Sequence, residues 1–521
     1  MKKIALALIS VHDKTNLVDL AAFLSKKGVE IISSTPTCKM LDKNGVKAQD
    51  LASVTGHGET LDGSIEAMHP IIFGGIMALR REGSHTDQLK NIGGQHIDLV
   101  IANPSPFDPA SDSSAGGDDS VAVADVSTLS LIRAAARNFR DVCVLTSPDQ
   151  YAGFIEEFNK TDGKLSLDYC RKTALKAFEL SASYDMDIYG SLYKETKKDE
   201  FLPQTLFLKY HKSMDLRYGE NPHQRAAFFK EPDLYGVSLA EAEIHKGGPM
   251  PYNMAYDLNL ALEIVMEFDK PAVAVVKQGV PLGVALEKDL TKAYIKARDV
   301  EPASAMGAVV AFNGQVEKRT AKEIASTYNE AVIASRYTDG ALELFKTAKK
   351  AANMRVLQIV GKKWTKQAGT LNLHSMLGGL LVQENDDLLL PEGAHLKVLS
   401  KRKPTRKQLA DLILAWKVVK HVGSNAVVLA KDLQTIGTGA NQINRMDAMK
   451  FAFEKAGDES VGCVMAFDTF IPMRNVIDEA SRYGITAIIQ PGGALRDDEI
   501  GMACDEHNIA LGLSGMRHFK H

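Results

Sequence analysis

The stretch Leu216-Arg217-Tyr218-Gly219-Glu220-Asn221-Pro222-His223-Gln224-Arg225 joins an α/β first third to a longer α/β remainder, and the rest of the chain is organised around it. It gathers two guanidinium groups, a carboxylate, an imidazole, two amides and a phenol around one glycine and one proline. Such a segment cannot be core. Gly219 and Pro222 break any regular period, so the polar groups belong on an irregular loop, where a rigid scaffold presents its binding residues. The bland alternative is a solvated connection. An exposed linker, however, seldom combines Tyr, His and two Arg with so little Lys, Ser or Glu padding.

On the N-terminal side, apolar runs alternate with amphipathic patterns. The runs 3–10, 29–33, 97–102 and 141–146 are predicted strands. Asp13 is a predicted cap for a helix reaching about Lys26, Gly28 ends that helix, and 129–138 is a further helix. Continuous apolar strands between helices predict a parallel α/β sheet. A helical stretch from 166 to about 193 follows, and the charged segment 194–200 marks a domain boundary. On the C-terminal side the short apolar runs 272–277, 308–312, 426–430, 461–466 and 486–489 alternate with helical patterns such as 406–420 and 445–455. No short-period repeat or low-complexity tract is present.

The 521 residues are 45% hydrophobic and 24% charged, ordinary globular material for two or three domains. A formal charge of −3 gives no signal for nucleic acid. The apolar run from Ile4 to Ile9 is too short for a signal segment, and no run approaches the ~18 residues of a membrane span. Cys38, Cys143, Cys170, Cys463 and Cys504 are odd in number and not closely paired, which fits reduced thiols in the cytoplasm.

The decapeptide resembles the segment that opens the transformylase part of the bifunctional AICAR transformylase/IMP cyclohydrolase (PurH) family. The resemblance runs from Ser10-Val11-His12-Asp13-Lys14 to Met516-Arg517-His518-Phe519. It implies a methylglyoxal-synthase-like parallel α/β domain over 1–196. Over 197–521 it implies a transformylase region of two similar α/β halves that resemble cytidine deaminase. The implied ligands are aminoimidazole carboxamide ribonucleotide and 10-formyltetrahydrofolate as co-substrate, with no tightly bound cofactor, and the implied assembly is a homodimer.

In the first domain, the turn at Ser10–Lys14 offers backbone donors for a phosphate, and the resemblance assigns Ser10 and Lys14 to substrate. Many α/β proteins have such a turn without a ligand. The family's second phosphate loop, Ser-Thr-Gly-Gly-Thr, is here Ser33-Ser34-Thr35-Pro36-Thr37, which loses both glycines and one N–H donor. The family's Gly-Arg-Val-Lys-Thr-Leu-His-Pro is Gly63-Ser64-Ile65-Glu66-Ala67-Met68-His69-Pro70. At about 4 Å from a phosphate, such a reversed charge turns an attraction of a few kcal/mol into a comparable repulsion. The family's Asn-Leu-Tyr-Pro-Phe is Asn103-Pro104-Ser105-Pro106-Phe107, without the phenol implicated in ring closure. Asp125 is kept as a catalytic candidate, the following Gly-Gly is Ser127-Thr128, and the family's catalytic Lys is Arg137, which cannot shuttle a proton. The domain is expected to keep its fold and to have lost cyclohydrolase activity.

The second domain keeps more. Arg217, Tyr218, Asn253, Gln490, Gly492 and Arg517 match positions that the resemblance assigns to nucleotide or folate binding, and Asn425 matches a catalytic one. Asp468 matches the folate-site carboxylate, but two neighbouring aromatics of the family are here Ile471 and Met473, which suit core packing and an altered ligand face equally. Lys277-Gln278 follows the apolar run 272–276, at a strand's C-terminal end, the usual ligand position in α/β sheets. The family has Lys-His there, with the imidazole taking a proton from the attacking amine. Gln278 hydrogen-bonds but does not titrate. His57-Gly58-Glu59 lacks the cysteine pair of a zinc deaminase, so no metal is expected. Gly437-Thr438-Gly439-Ala440-Asn441-Gln442 starts like a dinucleotide fingerprint and lacks its third glycine.

Three readings stand at this point. One is a working bifunctional enzyme. Another is a diverged member with ring closure lost and formyl transfer weakened or altered. The last is a non-catalytic nucleotide-binding or regulatory paralogue.

Overall fold

The structure, a computed structural model, describes residues 3–58, 60–61, 65, 67–108, 121–122, 124–197, 200–232, 236–359, 369–388, 390 and 396–521. The chain divides into two compact units, Met1–Lys209 and Tyr210–His521.

In the first unit, the described residues form a parallel sheet in the spatial order Gln49–Asp50, Glu30–Ser33, Leu6–Val11, Leu99–Asn103, Cys143–Leu145. Ala7, Leu8 and Ile9 on the central strand have no exposed surface, because helices cover both faces of the sheet. The first helix, Leu17–Lys26, begins later than the expected cap at Asp13. The chain enters it through Asn16 in the left-handed region (φ 57°), and Asp13 Oδ1 accepts Thr15 N–H at 2.9 Å instead. Gly28 ends the helix at φ 79°, as its position predicts. A further helix, Thr35–Lys43, starts with Pro36 in its first turn, where a missing N–H costs least. The long helix Leu167–Thr196 extends into the segment 194–200, of which Lys198 and Asp199 lie outside the described residues.

In the second unit a twelve-stranded sheet is built from two like halves. In the first half, helix Tyr252–Met266 leads into the hairpin Ala272–Lys277/Val280–Leu286. Helix Leu290–Asp299 follows, and then the parallel strands Ala308–Val316, Asn329–Tyr337 and Arg355–Gln358. In the second half, helix Arg406–Val419 leads into the hairpin Val427–Lys431/Gln434–Gly439. Helix Arg445–Ala456 is followed by the parallel strands Val464–Phe467, Ala487–Gln490 and Ala510–Leu513. The halves join where Val280–Leu286 pairs antiparallel with Gln434–Gly439. Gly283 and Gly437 hold the same place in the two hairpins, each under a helix. A Cβ at Gly283 would lie 1.9 Å from the Ala297 carbonyl oxygen, and one at Gly437 2.1 Å from that of Ala452. The glycines that start like a dinucleotide fingerprint are therefore strand residues that admit a helix.

Candidate functional site

In the first unit, Ser10 lies near the C-terminal end of its strand and Lys14 is exposed on the turn that follows. Two of the donors expected for a phosphate are already engaged, since Asn103 Oδ1 accepts His12 N–H at 2.9 Å and Asp13 N–H at 2.7 Å. Asp125 caps the helix Val126–Arg137, accepting Thr128 N–H at 2.9 Å and Ser105 N–H at 3.3 Å. Its own backbone N–H donates to the Tyr184 hydroxyl at 3.0 Å, a contact from the long helix that sequence patterning does not disclose. Arg137 is the last residue of that helix, about 18 Å from Asp125 along its axis. There it borders a cavity of about 430 Å³ with Met77, His85 and Ile92. One chain thus brings Ser10, Lys14 and Asp125 to one end of the sheet and leaves Arg137 at the other. Gly63, Ser64, Glu66 and Glu59 lie outside the described residues.

In the second unit the decapeptide is indeed irregular, and it is tied to the start of helix Tyr252–Met266. Arg217 N–H donates to Met250 O at 2.9 Å, Tyr252 N–H to Tyr218 O at 3.0 Å, and Asn253 Nδ2 to Glu220 O at 3.3 Å. Gly219 is needed for close approach, as a Cβ there would meet Gln224 Cβ at 2.8 Å. One turn along the same helix, the buried Asp257 carboxylate accepts Gln278 N–H at 2.8 Å and Gly279 N–H at 2.6 Å. Burial pushes this carboxyl above its ordinary value, and the two amides oppose that shift.

Lys277-Gln278 lies, as expected, at the C-terminal end of the strand Ala272–Lys277, and the chain there turns back in a hairpin. Gln278 (φ 52°) and Gly279 (φ 73°) are the two central residues of a tight hairpin turn of type I′, which requires both to be left-handed. Lys277 Nζ donates to Ser304 O at 3.0 Å and Met306 O at 2.6 Å. The Gln278 side chain is exposed and makes no hydrogen bond among the described residues. Beside Met306 and Tyr328 opens a cavity of about 400 Å³, also bordered by Lys349.

A second group of residues lies at the same end of the sheet. Strand pairing makes Ala272–Lys277, Val464–Phe467 and Ala487–Gln490 run in one direction, so Gln278, Asp468 and Gln490 share an edge. Four strand intervals separate Gln278 from Asp468, about 19 Å. Asp468 is fully buried; its Oδ2 accepts the Ser424 hydroxyl and its Oδ1 has no partner. Burial raises its pKa against the pull of Ser424, the Ala426 backbone and Arg445. The Arg445 guanidinium lies 5.1 Å from the Phe470 ring centroid. Asn425 Nδ2 donates to Gln442 O at 2.9 Å and Ile443 O at 3.1 Å. Gln490 Oε1 accepts Ile471 N–H at 2.6 Å, while its buried Nε2 is unpartnered. Gly492 is left-handed (φ 77°) and Arg517 is exposed, its guanidinium 5.3 Å from the Phe519 ring. Ile471 is core and Met473 is surface, so the two aliphatic replacements have different roles.

Among the described residues no cluster of His, Cys, Asp and Glu could hold a metal, and no helix is long and apolar enough to cross a membrane. All five cysteines are buried, and burial pushes the Cys463 thiol up to about 12, which suits packing and not nucleophilic attack.

The family model described as AICARFT/IMPCHase bienzyme matches residues 135–455, and that of the MGS-like domain matches residues 16–128. The chain belongs to the AICARFT/IMPCHase family. The bifunctional purine biosynthesis protein PurH of Acetivibrio thermocellus is 43% identical over 518 residues, 99% of each chain. That of Magnetococcus marinus is 40% identical over 537 residues, 100% of each. That of Persephonella marina is 40% identical over 519 residues, 99% of each. The chain therefore has a PurH-type architecture, an MGS-like region followed by a transformylase region.

Proposed function

We propose that the second unit binds aminoimidazole carboxamide ribonucleotide and transfers a formyl group to it from 10-formyltetrahydrofolate slowly, and that the first unit no longer closes the purine ring. Lys277, Gln278, Asn425, Arg217, Tyr218, Asn253, Asp468, Gln490, Gly492 and Arg517 supply this site, whose completion in a cytoplasmic homodimer accords with the family. The observation that carries the reading is Gln278: its backbone is pinned by Asp257, its side chain is exposed at the sheet edge, and it has no group that takes up a proton at neutral pH. Ring closure is disfavoured by Ser105, Pro36 and Arg137 in place of the family's phenol, glycine and lysine. Full-length identity of 43% to a PurH protein favours the competing reading, a fully active bifunctional enzyme. Steady-state assay of both half-reactions on the full chain separates the two. Turnover at ordinary family rates in both would refute the proposal.

A further inference from the structure

Beyond the strand Ala510–Leu513 the segment 514–520 is laid across the candidate site of the second unit. Ser514 N–H donates to Gln490 O at 2.9 Å and Gly515 N–H to Pro491 O at 3.0 Å. Further on, His518 N–H donates to Asp468 O at 3.2 Å, Ser424 N–H to Lys520 O at 2.8 Å, and Lys520 N–H to Ser424 Oγ at 2.9 Å. The main chain of the segment is therefore held by Gln490 and Asp468 and by the neighbours of Gly492 and Asn425. Backbone bonds of this kind are open to any residue, so they leave the choice of inward side chain undecided. A slip of one residue would exchange the two sides.

The choice is made by His518. Arg517 and Phe519 are exposed, with the Arg517 guanidinium 5.3 Å from the Phe519 ring, and His518 between them is 2% exposed. Asp386 Oδ2 lies 2.6 Å from His518 Nδ1, and an ionised carboxylate only accepts, so Nδ1 carries the proton. The imidazole also packs on the buried Trp416, ring centroids 5.0 Å apart and tilted by 50°. Asp386 comes from elsewhere in the chain, two residues beyond the hairpin strand Gly379–Glu384. Burial raises its carboxyl, but the hydrogen bond and charge of His518, the Lys420 ammonium and the Leu388 N–H together hold it below its ordinary value. Lys420 Nζ is itself fixed, donating to Leu388 O at 3.2 Å and lying 3.6 Å from Glu267 Oε1. A short hydrogen bond to a charged acceptor is among the stronger ones, and it gives the inward ring one definite partner.

We infer that Asp386 and His518 are positioning residues for the nucleotide: their pairing keeps the imidazole inward and thereby keeps Arg517, the next residue, on the outward side beside Gln490 and Asp468. The inference rests on the proposed nucleotide binding by the second unit and on the part of Arg517 in it. A histidine that only fills the core would matter for stability alone. A positioning pair acts through Arg517, and its loss is felt by one ligand and not by the other.

The test uses the full chain as parent, Asp386→Ala, Asp386→Asn, Arg517→Ala and the double variant Asp386→Ala/Arg517→Ala. Aminoimidazole carboxamide ribonucleotide and 10-formyltetrahydrofolate are each titrated calorimetrically, and amide hydrogen exchange is followed over 514–520. Asp386→Ala should speed exchange over 514–520 by about tenfold. It should weaken nucleotide binding by about tenfold and leave folate binding within about twofold of the parent. In the Arg517→Ala background the same change should cost no further nucleotide affinity, because the pair has nothing left to position. Asp386→Asn keeps an acceptor for Nδ1 and should stay within about threefold of the parent in exchange and in affinity. Unchanged nucleotide affinity in Asp386→Ala, an equal loss of folate affinity, or a loss that adds in full to that of Arg517→Ala would each overturn the inference. If the parent does not bind the nucleotide, or Arg517→Ala binds it as the parent does, the proposed site fails, and exchange over 514–520 still accepts or rejects the anchor.

Discussion

Asp468 occupies in the second half of the transformylase region the place that Asn313 occupies in the first. Each follows a buried phenylalanine, Phe467 or Phe312, that pairs with the equivalent residue of its hairpin, Val427 or Val273. Asn313 is satisfied: Nδ2 faces Phe268 O and Lys270 O at 2.9 and 2.8 Å, and Oδ1 accepts Ala272 N–H at 2.8 Å. Asp468 is a fully buried carboxylate with one oxygen unpartnered. Asp468→Asn should therefore stabilise the protein at pH 7, by about 1 kcal/mol, because an unpaired buried acceptor is exchanged for an amide that the repeat accommodates.

The pH dependence has a definite sign. Burial holds the folded carboxyl above its ordinary value. Its contribution to stability is then fully present below the unfolded value of about 3.9 and is lost as pH rises through the folded one. Urea midpoints should show the gap between parent and Asp468→Asn widest at neutral pH and narrowing as pH falls through the raised folded value toward the unfolded value of about 3.9. A gap that is constant over this range would mean that Asp468 is not the titrating group.

Much of the fold is legible in the sequence because the buried strands are continuous apolar runs: Ala272–Lys277 and Val427–Lys431 stand out on that ground. Their hairpin partners do not. Val280–Leu286 contains Pro281 and Gly283 at a register shift, and Gln434–Gly439 spends two residues on glycines that make room for a helix. The turn between the first pair is hidden for the same reason, as a proline two residues on suggests a loop. The candidate site residues are legible as polar groups in irregular segments. Their supports are not: Asp257 looks like any polar position of an amphipathic helix, and Tyr184 reaches Asp125 across 59 residues of sequence.

Ring closure should be undetectable above the uncatalysed rate when the full chain is given formylated aminoimidazole carboxamide ribonucleotide. The Asp125 carboxylate is occupied by the N–H groups of Thr128 and Ser105, and Asn103 takes up those of His12 and Asp13. Ser105→Tyr alone should leave the protein inactive in this step, because a phenol restores none of the phosphate donors. Spectrophotometric detection of inosine monophosphate formation checks both statements.

A dimer is expected from light scattering, at twice the chain mass of 56.7 kDa. The second unit displays an antiparallel hairpin, Leu371–Met376/Gly379–Glu384, with Leu377 fully exposed and Leu381 60% exposed, an apolar edge that a second copy would cover. Leu377→Asp with Leu381→Asp should shift the mass toward the monomer at micromolar concentration. A mass that is unaffected places the interface elsewhere on the unit.

Gln278→His should raise the turnover of formyl transfer by about tenfold or more with little change in nucleotide affinity. The attacking nitrogen is a poor nucleophile, and its attack gains from a base that titrates near neutrality, a role that histidine fills with an unperturbed pKa of about 6.5. A positioned general base is worth about 10²–10⁴ in rate. The position can receive it: residue 278 is exposed, its backbone is held by Asp257 whatever the side chain, and histidine tolerates the left-handed region better than most residues. The new imidazole should also give kcat a dependence on pH, rising through its pKa to a plateau on the alkaline side, where the neutral ring accepts the proton. Turnover that stays at the parent's level while nucleotide and folate still bind would show that the missing base is not what slows the reaction, and would move attention to the buried Asp468 and its unpartnered oxygen.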